Sequence, residues 1–148
     1  MRKASTDEVQ LIFEELLKLL QKSPAAQMKL AVPEVALAHL RAAQAAGHLW
    51  IQGDFAILVD VGSPWYTDRP VLIEEIIIRY RRDFGNPPED VALALPLLAE
   101  ILGCAAIAAG DTQVGLMGPR YLAAGFTALG TQFFKEIPNG VRAQAHRS

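Results

Sequence analysis

Arg79, Arg81 and Arg82 crowd together near the middle of this 148-residue sequence, with Glu74, Glu75 and Asp83 close by. Guanidinium groups broken up by carboxylates suit a small anion better than a polyanion. The chain then runs Phe84-Gly85-Asn86-Pro87-Pro88 into an apolar stretch. A loop that opens a helix presents unpaired N–H groups and the positive end of the helix dipole, and a glycine lets a phosphate approach the backbone. Pro87 and Pro88 lack an N–H, so two potential phosphate donors are missing. Glu74 and Glu75 sit in an apolar run, where apolar neighbours would raise a carboxyl pKa and suit it to accept a proton. On a strand they face opposite sides, so only one can reach a given cleft; the other needs a partner such as Arg79, or solvent.

Other reactive residue types carry less. Tyr121 precedes Gly125-Phe126 by four positions and could staple a helix end to the following strand. Trp65 and Tyr66 fall in a loop, where they could line a cleft or cover a sheet edge. His39, His48 and His146 share no metal-ligand spacing. Cys104 is the only cysteine, which excludes an intramolecular disulfide and points to a reducing compartment. Serine–histidine triads and dinucleotide fingerprints are absent.

These residues must be positioned by one compact domain, the expectation for a chain of this length. Hydrophobic residues make up 51% and charged residues 20%, the balance of a globular protein. A net charge of −2 leaves no electrostatic footprint for nucleic acid. The first eight residues lack the apolar core of a signal peptide. Residues 91–110 are almost wholly apolar, but Pro96, Glu100 and Gly103 interrupt them, which predicts a buried helix and then a buried strand rather than a membrane span.

Ser5, Thr6 or Asp7 can cap a helix over residues 8–22, whose Leu11, Ile12, Leu16, Leu17 and Leu20 recur at helical spacing. Pro33 and Gly47 bracket a second helix over 33–46. Two apolar runs, 48–52 and 55–61, flank Gly53-Asp54 and predict a β-hairpin. Residues 71–80 predict a central strand covered on both faces. A helix follows from 87 or 88 to 102, with Asn86 as a candidate cap and Pro96 bending it. Strand 104–109, helix 119–124, strand 126–135 and a loosely held tail complete a mixed α/β fold built around one sheet.

That order resembles the GNAT acetyltransferases over the last two thirds of the chain. The resemblance is carried by the strand ending Ile76-Ile77-Ile78-Arg79-Tyr80, by Arg82-Asp-Phe-Gly85-Asn86-Pro87, and by Tyr121 with Gly125-Phe126. It implies a GNAT-like acyl-CoA N-acyltransferase fold with an N-terminal helical segment, and acetyl-CoA as a possible cofactor. The pantetheine arm would run along Ile76, Ile77, Ile78 and Arg79, with the pyrophosphate at Arg82, Gly85 and Asn86. Glu74 or Glu75 would take the proton of an amine substrate, and Tyr121 would protonate the leaving thiolate.

The chain also resembles short GNAT-like proteins of tailed bacteriophages, in size, layout and the stretch from Ser63-Pro64-Trp65-Tyr66 to Ile73-Glu74-Glu75. Two functions follow as expectations. One is acetyl transfer from acetyl-CoA to an unknown amine; the other is a non-catalytic structural or assembly role, for example in a virion, with a homo-oligomer or another protein as partner. The expected organisation is one domain over residues 1–137, helical over 1–47 and sheet-forming over 48–137, with a tail over 138–148. The expected compartment is the cytoplasm, or a host cytoplasm or virion for a phage product.

Overall fold

A computed structural model describes residues 1–22, 31–110, 117–129, 135 and 137. Among them one sheet runs β1 (Arg2–Lys3), β2 (Leu49–Gln52), β3 (Phe55–Gly62), β4 (Val71–Arg79) and β5 (Ala106–Ala108), in that spatial order. The first four strands are antiparallel neighbours, and β5 joins β4 in parallel. Between β3 and β4 the register slips by one, so that Leu58 faces Ile76 while Val59 faces Glu74, leaving Glu75 as an extra residue on β4.

Helices α1 (Glu8–Lys22) and α2 (Pro33–Ala46) cover one face of this sheet. Val9, Ile12 and Leu16 of α1 and Leu40 and Ala43 of α2 pack there against Leu49, Ile51, Leu58, Ile78 and Tyr80. Helix α3 (Glu89–Ile101) and the short α4 (Gly118–Ala123) cover the other. There Val91, Leu95 and Leu98 meet Trp50, Phe55, Ile57, Val59 and Leu72. Burying each such Leu, Ile or Val contributes roughly 1.5–3 kcal/mol, so both faces of β3 and β4 are held by apolar burial.

Local chemistry sets the helix ends. Glu8 reaches back to the N–H of Ser5 at 3.0 Å and so closes the start of α1. Pro33 lies in the first turn of α2, and Gly47 ends that helix in the left-handed conformation, φ 76°. Asn86 does not cap α3: its side chain accepts from the Asp54 N–H at 2.9 Å instead.

Further expectations are corrected. Strand β1 was not foreseen within the N-terminal part; two residues carry no periodicity, and their pairing to β2 supplies what the sequence lacks. The apolar run 91–110 is not buried throughout. Leu93, Leu97 and Ile101 are exposed on α3, and β5 is three residues long with exposed ends, because it has β4 on one side and no described strand on the other. Residues 126–129 form no strand, and residues 130–134 of that expected strand lie outside the described residues, as does the 138–148 tail. No described helix is long and apolar enough to cross a membrane.

Candidate functional site

Strand β4 is nine residues long, but β5 accompanies it only from Val71 to Ile73. Beyond that point no described strand lies on this side of β4, and the Gly110 N–H donates to Glu74 Oε2 at 3.2 Å where the two strands part. A cleft of about 330 Å³ adjoins the freed edge. Phe55, Ile77, Ile78 and Arg79 form its sheet side; Glu15, Lys18, Leu19 and Lys22 of α1 and Met117 beside α4 close it. The Tyr80 N–H donates toward β3, to the Asp54 carbonyl at 3.0 Å. Backbone groups alternate sides along a strand, so the N–H groups of Ile77 and Arg79 face the open edge.

At the end of β4 the chain turns into the 81–88 loop, and the hairpin turn between β2 and β3 lies against it. Asp54, in that turn, is fully buried. Its Oδ1 accepts from the Phe84 N–H at 3.0 Å and its Oδ2 from the Gly85 N–H at 2.7 Å. Arg79 Nη1 stands 3.4 Å from Oδ2 and Arg81 Nε 4.0 Å from Oδ1. Burial alone would raise this carboxyl's pKa. The two N–H groups and the two guanidinium groups outweigh it and hold the carboxyl below its ordinary value. The second Arg79 nitrogen donates to the Asn86 carbonyl at 2.9 Å, and Arg81 Nη2 to the Gly53 carbonyl at 3.1 Å. Gly53 has φ +59°, which favours glycine, and a Cβ there would run into the Asn86 side-chain amide, which would have to move aside.

No protein-family model and no curated protein sequence matches this chain. Solved structures do. The aminoglycoside N-acetyltransferase AAC(6′)-Iy, solved in complex with CoA, superposes with a TM-score of 0.61 at 17% identity, over 92% of each chain. A possible acetyltransferase from Clostridium difficile 630 gives 0.60 at 10% identity, over 93% of this chain and 95% of that one. A GNAT family acetyltransferase from Staphylococcus aureus subsp. aureus USA300_TCH1516 gives 0.53 at 10% identity, over 90% and 95%. The chain has the GNAT acetyltransferase fold.

Within the GNAT fold the expected site residues are dispersed, and only some of them meet at the cleft. Ile77, Ile78 and Arg79 lie on the cleft, while Ile76 faces the α1–α2 core. Gly85 and Asn86 belong to the loop around Asp54, and Arg82 is exposed. Glu74 stands where β4 and β5 part. Glu75, the extra residue of β4, turns instead to α2, with Oε2 2.7 Å from His39 Nε2. Tyr121 is buried against Phe126, ring centroids 5.0 Å apart, in the cluster that includes Phe55. Its N–H donates to the Met117 carbonyl at 2.9 Å. Phe55 and Met117 line the cleft, and Tyr121 does not. Trp65 and Tyr66 are exposed, edge to face, away from the cleft.

The two halves of a CoA-type cofactor fit this chain unequally. An extended acyl-pantetheine arm fits the free edge of β4, which offers N–H groups over an apolar floor. The 81–88 loop does not fit a pyrophosphate. The Phe84 and Gly85 N–H groups are taken by Asp54, Pro87 and Pro88 have none, and Glu89 and Asp90 place carboxylates on the first turn of α3. Asp54 is the residue that sequence reasoning missed. The signal was the pairing of a Gly-Asp hairpin turn with the arginine-rich end of β4, visible only once β3 and β4 are aligned. No described group of three or more His, Cys, Asp or Glu residues could hold a metal ion.

Proposed function

We propose that the chain is a GNAT-fold N-acyltransferase that lays the arm of an acyl thioester along the open edge of β4 and passes the acyl group to an amine. The observation that carries this reading is the freed edge at Ile77 and Arg79 beside the cleft. The CoA complex of AAC(6′)-Iy suggests the donor class.

The bound thioester supplies an electrophilic carbonyl; the chain does the rest. The Ile77 N–H polarises the carbonyl oxygen as negative charge develops there. Glu74, at the fork between β4 and β5, takes the proton from the attacking amine nitrogen, directly or through water. Glu75, turned toward His39, is the poorer candidate for that step. As the C–N bond forms and the C–S bond breaks, Tyr121 would give its hydroxyl proton to the departing sulfur, after its side chain turns toward the cleft.

Calorimetry with S-acetylpantetheine and with acetyl-CoA, followed by an amine panel, tests the reading. Binding of both at millimolar concentration or below supports it; no heat from either sinks it. A second reading, a GNAT-fold module that binds or assembles without chemistry, is favoured by the carboxylate at the 81–88 loop and by the burial of Tyr121. A monomeric protein that binds an acyl thioester and turns it over excludes that role.

A further inference from the structure

The loop around Asp54 holds more hydrogen-bond donors than one carboxylate uses. The Phe84 and Gly85 N–H groups and Arg79 Nη1 point at it. Arg81 Nε is buried 4.0 Å away and has no hydrogen-bond partner among the described residues. A carboxylate spreads its charge over two oxygens; a phosphate offers three or more. The cradle is therefore built for an anion and has room in its hydrogen bonding for a larger one.

We propose that Asp54 is the resident anion of this loop, occupying the donors that a pyrophosphate would need, so that the chain does not hold a nucleotide pyrophosphate there and gains a site for phosphate-class anions when that carboxylate is removed. Tethering favours the resident group. Asp54 is part of a short turn and gives up no translational freedom to reach the N–H groups, whereas a free anion does. Displacing it would leave two like charges competing for the same donors. The hairpin fixes it further, since the Asp54 N–H is bonded to Asn86 Oδ1 and its carbonyl accepts from the Tyr80 N–H. This inference rests on the acyltransferase reading only for the identity of the ligand excluded. Any donor would then be held by its acyl arm and not by its nucleotide.

The first test is thermal melting of wild type and Asp54→Ala in inorganic pyrophosphate, with sodium chloride matching the ionic strength. Wild type should not respond. Asp54→Ala should melt lower and rise by about 5 °C or more as pyrophosphate reaches saturation. An equal response of both proteins, or none from a folded variant, overturns the proposal.

Wild type alone gives a second test that does not depend on the variant folding. Calorimetry should show no saturable pyrophosphate binding, and acetyl-CoA should bind no more than about threefold tighter than S-acetylpantetheine. Acetyl-CoA binding tenfold or more tighter overturns the proposal. If neither thioester binds, the acyltransferase reading fails while the absence of pyrophosphate binding still supports the role of Asp54.

Discussion

The Nε2 atom of His39 lies 2.7 Å from Oε2 of Glu75, tying α2 to the one residue of β4 that has no partner on β3. Both side chains are part-exposed, so solvent screens the pair. A double-mutant cycle with His39→Ala and Glu75→Gln, read by urea unfolding, should give a coupling of about 0.2–1 kcal/mol.

The two glutamates differ in surroundings, and their variants should differ in effect. Glu74→Gln should lower the rate of acyl transfer by about 10²-fold or more, the usual contribution of a positioned base. Glu75→Gln should leave that rate within about fivefold, as expected for loss of a screened ion pair. Single-turnover kinetics with a thioester donor measures both, and equal losses would remove Glu74 from its assigned step.

A Cβ at Gly53 would collide with the Asn86 side-chain amide. Gly53→Ala should destabilise the protein by roughly 1–3 kcal/mol, from the positive φ and the clash together. Adding Asn86→Ala relieves the clash and leaves the backbone cost, so the double variant should still unfold at lower urea than Asn86→Ala alone.

Leu98 is fully buried between α3 and the sheet. Leu98→Ala should cost about 2–5 kcal/mol in denaturant unfolding. Leu97→Ala, one position along and exposed, should cost less than about 0.5 kcal/mol.

Acid stability should depend on Glu8. Hydrogen bonds from the Arg2 guanidinium, at 2.6 and 2.8 Å, hold its carboxyl far below the ordinary value, with the Ser5 N–H and the Tyr80 hydroxyl assisting and burial opposing. A carboxyl whose pKa falls on folding stabilises the fold above its unfolded pKa, and that stability is lost as pH drops through the folded value. The urea midpoint should fall as pH drops below about 4.5, and Glu8→Gln should flatten that fall. At the alkaline end Tyr80 is pushed up to about 12, by burial first and then by Glu8. Its contribution is complete below its unfolded value near 10 and lost as pH rises through 12. Tyr80→Phe should remove that alkaline loss.

Much of the frame was legible because local rules suffice for it. Pro33 and Gly47 bracket α2 as their backbone preferences demand, and Gly53-Asp54 marks the hairpin. The isoleucines of β4 announce a strand buried on both faces. What could not be read depends on pairings across the chain. Asp54 meets Gly85 from 31 positions away, and nothing local distinguishes a turn aspartate that is solvated from one that is buried. The two prolines did report on the loop, since a missing N–H is a local property. The burial of Tyr121 and the exposure of β5 depend on which elements stack, which the Tyr121–Gly125–Phe126 spacing does not encode.

The extra residue at Glu75 also changes the counting rule of β4. Leu72 and Ile77 serve the same core although an odd number of steps separates them, while Ile76, Ile78 and Tyr80 serve the opposite one. Strict alternation forbids that assignment. The strand thus reads in two frames, joined at one residue. Deleting Glu75 would bring Leu72 and Ile77 an even number of steps apart, so that one frame would serve the whole strand while Ile76 through Tyr80 kept the faces they have now.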